Sequence, residues 1–335
     1  MTIDLPLVWA FIIAFAEFMY VVMDGFDLGI GILFPAFRAE ADRDTMMHSV
    51  APVWDGNETW LVLGGGGLMA AFPLAYATIL PALYLPLILM LAGLIFRGVA
   101  FEFRFKAERH RYLWDASFAG GSLLATFAQG VALGAFIQGF SVEGRGFAGG
   151  AFDWLTPFSL FTGLALIAGY AALGCAWLIL KTEGAMQNRA WALMTPLGLA
   201  LLAAIAVVSG WTPLAHPEIA ARWFTVPNIY YLWPVPLAVA ALALALWRAV
   251  ATRRERAPFP LALALFALGY VGLGISLWPN VVPPRISIWE AASSPATQSF
   301  MLYGVVVLVP LILGYTAYSY RVFRGKVTGA GYHRD

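Results

Sequence analysis

The sequence predicts an all-α, polytopic membrane protein with nine transmembrane helices in one integral membrane domain, residues 1–335. Its 335 residues are 61% hydrophobic and only 12% charged, whereas soluble domains carry roughly 25% charged residues. The mean hydropathy is +0.77. Apolar runs of about twenty residues recur along the chain, which is the length that crosses a bilayer as a helix. No segment is left over for a soluble domain.

The nine predicted spans leave one boundary to be decided by proline. The run from Trp60 to Arg97 is too long for one span, and we expect a tight turn at Pro81 to divide it. Two four-helix bundles plus one extra helix would accommodate nine spans. The spans are about 5–34, 59–79, 81–103, 116–139, 155–180, 191–211, 228–250, 259–279 and 299–321.

The basic residues predict a periplasmic N-terminus and a cytoplasmic C-terminus. Arg145, Arg222 and Arg285 would then lie outside, and Arg97 near the inner end of the third span. The remaining sixteen of the twenty basic residues would lie inside, as the positive-inside rule requires. They are Arg38, Arg43, Arg104, Lys106, Arg109, Arg111, Lys181, Arg189, Arg248, Arg253, Arg254, Arg256, Arg321, Arg324, Lys326 and Arg334.

Charge and cysteine content exclude several classes of protein. The formal net charge of +1 carries no nucleic-acid footprint. Cys175 is the single cysteine, so no intrachain disulfide can form, and its apolar surroundings indicate a small buried residue. The first span is too long for a cleavable signal peptide, no basic residue precedes it, and acids interrupt it.

Carboxylates inside the first span are the main functional signal. Glu17, Tyr20, Asp24 and Asp27 are spaced to form one polar stripe on a helix that is otherwise apolar. An intramembrane acid is costly unless it is paired, protonated or hydrated, and therefore indicates a functional site. Such a stripe can carry protons, bind a cation or pair with basic groups on a neighbouring helix.

A second pair of acids, Asp55 and Glu58, is predicted at the cytoplasmic start of the second span. Together with Asp24 and Asp27 it places the acids on one side, where they could take up protons from the cytoplasm. The alternative interpretation is structural: individual acids would cap helices or pair with Arg97 or Arg104. We also expect Arg97 and Glu102, at the end of the third span, to take part in structural ion pairing.

Glycines and histidines point to packing and to the absence of a redox centre in this chain. The run Gly64 to Gly67 is more typical of close helix packing than of a phosphate-binding loop, because no strand pattern precedes it. All four histidines, His48, His110, His216 and His333, fall in predicted loops or the tail. Paired axial histidines for haem and metal-ligand spacings are therefore not predicted.

Four strings in this order resemble subunit II of the cytochrome bd-type quinol oxidases. They are D-G-F-D-L-G-I-G (Asp24 to Gly31), A-P-V-W-D-G-N-E-T-W-L (Ala51 to Leu61), R-G-V-A-F-E (Arg97 to Glu102) and I-W-E-A-A-S-S (Ile288 to Ser294).

The resemblance implies a heterodimer with a haem-bearing subunit I in the bacterial cytoplasmic membrane. That complex oxidises quinol and reduces dioxygen to water, and generates a proton motive force without pumping. Two b-type haems and one d-type haem belong to subunit I, and this chain would bind none. Small single-span subunits, lipid and a structural quinone are further possible partners. The short loops fit the cyanide-insensitive branch.

The resemblance also assigns roles to individual residues. Asp24, Asp27 and Asp55 match acids linked to proton supply toward subunit I, and Trp60 matches a tryptophan near a lateral oxygen entrance. The chain departs from the family pattern at three positions. Gly98 stands where proline is common, and Glu102 and Glu290 stand where aspartate is common.

Two other functions remain open from the residues themselves. A proton-coupled secondary transporter would also use intramembrane acids and glycine-rich helices, although we find no matched pair of interrupted helices. A purely structural membrane subunit would differ from a proton-supplying subunit only in whether the acids matter.

Overall fold

The computed structural model describes residues 3–327, and this part of the chain is almost entirely helical. Short antiparallel hairpins in two connections pair β1 (Val142–Glu143) with β2 (Gly146–Phe147), and β3 (Asn280–Val282) with β4 (Ile286–Ser287). The helices are α1 (Leu5–Leu33), α2 (Glu40–Val50), α3 (Trp54–Ala71), α4 (Pro73–Phe103), α5 (Arg111–Gln138), α6 (Pro157–Lys181), α7 (Gly184–Ala215), α8 (Pro217–Phe224), α9 (Asn228–Leu232), α10 (Pro234–Ala251), α11 (Pro258–Leu277), α12 (Ile288–Ala291) and α13 (Pro295–Val322).

Local sequence explains where many of these helices begin. Proline suits the first helical position, because its missing N–H would have no intrahelical partner there. Side chains cap other starts: Asp4 accepts a hydrogen bond from the backbone N–H of Leu7, and Thr156 forms a capping box with Ser159. Proline occupies the first position of α4, α6, α8, α10, α11 and α13.

Eight helices within residues 3–327 are long and apolar enough to cross a membrane, which confirms a polytopic membrane protein. They are α1, α4, α5, α6, α7, the segment that joins α9 and α10, α11 and α13.

Helix α3 falls outside this set because Asp55, Asn57 and Glu58 make its first turns polar. Its 18 residues nevertheless extend about 27 Å. It packs along α1 in the opposite direction: Asn57 contacts Asp27, and Gly67 faces Ile13.

The expected turn at Pro81 is wrong. The break lies at Phe72, whose non-helical backbone ends α3, and α4 then runs without interruption from Pro73 through Pro81 and Pro86. A proline inside a membrane helix is tolerated because neighbouring helices and local adjustments satisfy the freed carbonyl. The predicted second span therefore ends eight residues late. The segment 35–58, which connects the first two predicted spans, contains α2 and the first turn of α3.

Helix α1 lies at the centre of the packing and contacts α3, α5 and α6. Helices α3, α4 and α5 complete a ring with α1, and α6, α7, α10 and α11 form a second ring that contacts the first through α6. Helix α13 packs against α1 and α3. Many of the largest core side chains lie where the two rings meet, including Phe26, Tyr170 and Trp177.

Glycines allow the closest approaches between helices. A Cβ at Gly29 would lie 1.9 Å from the carbonyl oxygen of Tyr170, and a Cβ at Gly174 would lie 2.5 Å from the carbonyl carbon of Gly29. Gly93 and Gly121 bring α4 and α5 together in the same way. Small residues are therefore needed where α1 meets α6, as expected for membrane helices.

Most ion pairs among the described residues lie toward one end of the bundle. At one end, hereafter the basic end, Arg104 is fully buried and pairs with Asp44 and with Asp115 at 2.5 Å, while Arg43 pairs with Asp115 at 2.7 Å. Lys326 joins this end by donating to the carbonyl of Thr182 at 2.8 Å.

At the opposite end the indole of Trp9 donates to the carbonyl of Gln298 at 3.1 Å. Arg334 and His333 lie outside the described residues.

Candidate functional site

Arg97 is the centre of a buried cluster of polar side chains, hereafter the Arg97 cluster. Its members are Asp24, Asp27, Asn57, Glu58 and Arg97. The Nη1 of Arg97 donates to Asp24 Oδ1 at 2.8 Å and to Glu58 Oε1 at 2.7 Å, and its Nη2 lies 3.9 Å from Asp27 Oδ2. Asp24, Asp27 and Arg97 are fully buried, and the Glu58 side chain is 24% exposed. Six residues separate Arg97 from the last residue of α4, so the cluster lies about 9 Å inside the basic end.

Three helices bring these side chains together. Asp24 and Asp27 lie about one turn apart on α1, so they share a face. Asn57 and Glu58 lie in the first turns of α3, which runs antiparallel to α1. The amide of Asn57 donates to Asp27 Oδ2 at 2.7 Å, and the hydroxyl of Tyr320 on α13 donates to Asn57 Oδ1 at 3.2 Å.

An aromatic pair covers one side of the guanidinium. Trp54 and Phe101 stack with their ring centroids 4.8 Å apart, and the Cζ of Arg97 lies 5.8 Å from the Trp54 ring and 5.9 Å from the Phe101 ring. Aromatic faces attract cations at this distance. The rings also keep water away from that side of the ion pairs, which strengthens them.

The charge balance of the cluster favours proton binding. Asp24, Asp27 and Glu58 share one guanidinium, so full ionisation would leave two negative charges uncompensated in a buried site. Such charges are expensive, and a group so placed takes up a proton instead. Oδ2 of Asp24 and Oδ1 of Asp27 have no protein hydrogen-bond partner among residues 3–327. These oxygens are where protons or water would bind.

Three of the four sequence strings meet at this cluster: the string from Asp24 contributes two acids, the string from Ala51 contributes Asn57 and Glu58, and the string from Arg97 contributes the guanidinium. Residues 5–323 match the sequence profile of a family described as cytochrome bd terminal oxidase subunit II. The chain belongs to that family. It is thus a multi-pass protein of the cytoplasmic membrane and a subunit of an oxidoreductase complex, and the transporter alternative is set aside.

Named relatives agree with this membership. The chain is 30% identical to cytochrome bd-I ubiquinol oxidase subunit 2 of Escherichia coli K12, over 99% of this chain and 97% of the relative. It is 27% identical to cytochrome bd ubiquinol oxidase subunit 2 of Bacillus subtilis, over 96% of each chain. The fold resembles a chain of the bd oxidase from Geobacillus thermodenitrificans, with a TM-score of 0.75, 18% identity, and coverage of 96% and 99%.

Asp55 and Glu17 lie outside the Arg97 cluster in this member of the family. Asp55 is exposed in the first turn of α3, three residues before Glu58, and no ion pair reaches it within residues 3–327. Glu17 lies two turns before Asp24 on α1, with its carboxylate against Gly64 of α3. Asp55 is therefore placed at the mouth of the cluster and Glu17 beyond it, toward the middle of the bilayer.

Arg97 and Glu102 each form an ion pair, but not with each other. Glu102 is exposed and pairs with Lys106 at 3.4 Å, one turn further along. Five residues separate Arg97 from Glu102, so they point to different faces of α4. The alternative interpretation, in which acids pair with Arg97, holds for Asp24 and Glu58.

Trp60 is fully buried, beside α13, and its ring meets that of Phe15 edge-on at 5.6 Å between centroids. Its assignment to an oxygen entrance stays a prediction.

Asn57 and Tyr320 were missed from the sequence, as were Asp44 and Asp115, the partners of Arg104. Asn57 stands inside a string that carries the family resemblance, and that was the one available signal. Tyr320 lies 263 positions from Asn57, and nothing local marks it. Across residues 3–327, no group of three His, Cys, Asp or Glu residues is placed to hold a metal ion.

Proposed function

We propose that this chain is the haem-free subunit II of a bd-type quinol oxidase and that it supplies cytoplasmic protons to the haem-bearing subunit I. In that complex subunit I would carry two b-type haems and one d-type haem, oxidise quinol and reduce dioxygen to water. This chain would also scaffold subunit I. The Arg97 cluster carries the proposal, because its three carboxylates share one guanidinium near the basic end of the bundle.

The positions of the histidines support the haem-free assignment. Haem in a helical bundle is held by axial side chains such as histidine from within the spans. His48 lies in α2 and stacks on Phe105, His110 directly precedes α5, and His216 directly follows α7. All three lie outside the candidate spans.

We assign the basic end to the cytoplasm, with α3 as the ninth crossing and the N-terminus outside. The positive-inside rule favours this orientation, and so does the antiparallel course of α3 along α1. Single cysteines at exposed loop positions test it, because the native Cys175 is buried. In right-side-out vesicles, Arg145→Cys should react with a membrane-impermeant maleimide and Arg109→Cys should not; the reverse result would overturn the orientation.

A structural quinone is not assigned to this chain. A cavity of about 220 Å³ lies near the end opposite the basic end, between Gln138, Phe140 and Trp154. Ligand cavities usually measure about 300–1,000 Å³. The residues around it therefore do not support a quinone head and tail. Small single-span partners would dock on surfaces of this chain that would face lipid in their absence.

A spectrum of the purified complex tests the assignment to a haem oxidase. The chain is affinity-tagged and purified in mild detergent, and a reduced-minus-oxidised spectrum is recorded with quinol oxidation in the same sample. We expect d-type and b-type haem absorbance to co-purify in fixed ratio with this chain. A colourless, pure protein with no quinol oxidase activity would refute the proposal.

A further inference from the structure

Buried polar groups continue beyond the Arg97 cluster, toward the middle of the bundle. Tyr20 on α1 and Tyr170 on α6 are both fully buried. Their hydroxyls, and the amide oxygen of Gln129 on α5, are buried without a hydrogen-bond partner among residues 3–327. Buried polar atoms in proteins are nearly always paired, with protein or with water. Tyr20 lies beside Asp24 and Tyr170 beside Gln129, but neither contact has the geometry of a full hydrogen bond. Three such under-satisfied atoms on three adjoining helices therefore point to a shared hydrated site.

Tyr170 links these groups. Its ring lies against the backbone at Gly25, where a Cβ would approach it to 2.6 Å, so the phenol is held beside Asp24. Gln129 lies beside its hydroxyl, and both Asp24 and Glu17 act electrostatically on it. The phenol thus lies in the same buried region as both acids.

Glu17 is the carboxylate at the far end of this group. No hydrogen bond or ion pair reaches it within the described chain, although it lies in a span. Gly64 makes room for it: a Cβ there would lie 2.1 Å from Glu17 Oε1. Gly65 and Gly66, which face outward, have no atom within 4 Å of an added Cβ. The glycine run therefore has a positioning role at Gly64 that close helix packing alone does not explain.

Distance sets the role of the two tyrosines. Seven residues separate Glu17 from Asp24, which is about 10 Å along a helix and too far for a direct hydrogen bond. Tyr20 lies between them on the same face. A hydroxyl both donates and accepts hydrogen bonds, so phenols with intervening water can pass a proton along.

We propose that Glu17, Tyr20, Tyr170 and Gln129 enclose a hydrated site that extends the Arg97 cluster toward the middle of the bilayer, with Glu17 as its proton-holding end. This rests on the proton-supply function proposed for the Arg97 cluster. When the site loads, an O–H bond in the adjacent water breaks as an O–H bond forms on the Glu17 carboxylate. The charge of Glu17 changes from −1 to 0, a proton from the cytoplasmic side restores the water, and no electrons move.

Infrared difference spectra of the intact oxidase complex, reduced minus oxidised, test the site in H₂O and in D₂O. We expect a carboxylic-acid C=O band that shifts in D₂O, disappears in Glu17→Gln and changes frequency in Tyr170→Phe. Glu17→Asp keeps a carboxyl group and should shift the band without removing it. Tyr303→Phe, at an exposed position on α13, is the matched control and should leave the band unchanged.

Turnover of the same variants supplies a second readout. Glu17→Gln and Tyr170→Phe should each slow oxygen reduction, on the order of a hundredfold for the loss of a positioned proton-transfer group. Their double variant should be no slower than the slower single variant, because both act on one route.

The site would be overturned if Glu17→Gln removed none of the D₂O-sensitive carboxyl bands, or if Glu17 were ionised and paired with a cation of subunit I. If Asp27→Asn slows turnover while Glu17→Gln does not, the extension fails and proton supply through the Arg97 cluster stands. If neither variant slows turnover, both proposals fail.

Discussion

Arg97 donates to Asp24 over 2.8 Å, and neither side chain is exposed. The pair joins α4 to α1 across the bundle, and Glu58 on α3 adds a second carboxylate to the same guanidinium nitrogen. A buried ion pair is a weak source of net stability, since its desolvation offsets the attraction. Removing only one partner of the pair is nonetheless strongly destabilising, because the other charge is left buried and unpaired.

Arg97→Ala should therefore destabilise the complex strongly, by about 3–5 kcal/mol, the range for breaking a buried pair. Thermal unfolding of the purified complex, followed by haem absorbance, measures the change. The control is Arg109→Ala, an exposed arginine at the same end, which should stay within about 0.5 kcal/mol of the parent protein. Equal stability of the two variants would show that Arg97 is not needed to balance the buried acids.

Asp27→Asn should slow oxygen reduction on the order of a hundredfold, because an amide of the same shape cannot accept and release the proton. Asp55→Asn should have a smaller effect, since Asp55 is exposed and water can replace it at the mouth of the cluster. In both variants the KM for quinol should hold. Glu108→Gln, an exposed acid at the basic end, is the control. Full turnover in Asp27→Asn would remove this residue from proton supply.

Gly29→Ala should separate α1 from α6 and destabilise the chain by about 1–3 kcal/mol, as overpacking does. The added methyl would lie 1.9 Å from the carbonyl of Tyr170, and a backbone atom cannot move aside as a side chain can. Gly269→Ala, on the exposed face of α11 with no atom within 4 Å, is the matched control. It should be neutral or slightly stabilising, because alanine is the better helix former. A fall in thermal unfolding temperature shared by both variants would contradict this explanation.

The C-terminal segment predicts a pH dependence at the basic end. Lys326 pairs with Glu255 in the α10–α11 connection, and this hydrogen bond lowers the pKa of Glu255 below its usual 4.5. A carboxyl whose pKa is lowered by folding contributes stability above its unfolded pKa and loses it as the pH falls through the folded pKa. Glu255→Gln should therefore lower the free energy of unfolding at pH 7 by less than about 1 kcal/mol, the range for an exposed pair, which thermal unfolding of the two proteins measures. As the pH falls through the lowered pKa of Glu255 in the folded protein, the stabilities of the variant and the parent protein should converge. A difference that persists after Glu255 is fully protonated would contradict the ion pair.

The ends of the apolar runs were largely predictable, and the Phe72 break was not. Hydropathy and flanking polar residues placed the first span at 5–34, against Leu5–Leu33 observed. Between Trp60 and Arg97 the chain carries no charged residue, so Pro73, Pro81 and Pro86 were the local markers, and nothing local showed that α4 begins at Pro73. Pro81 stays inside α4 because the neighbouring helices of the bundle hold it, and that environment is not encoded locally.

The sequence by itself determined that this is a polytopic helical membrane protein, which acids its first helix carries, and which family its strings resemble. Those properties depend on composition, on apolar runs and on local spacing. Only the tertiary structure decided that Arg97 pairs with Asp24 and Glu58 rather than Glu102, that Asn57 and Tyr320 hold Asp27 in place, and that Gly64 makes room for Glu17. These contacts join helices that are distant in sequence. The strength of a buried ion pair depends on the distance between the two charges in space, which their separation along the chain does not determine.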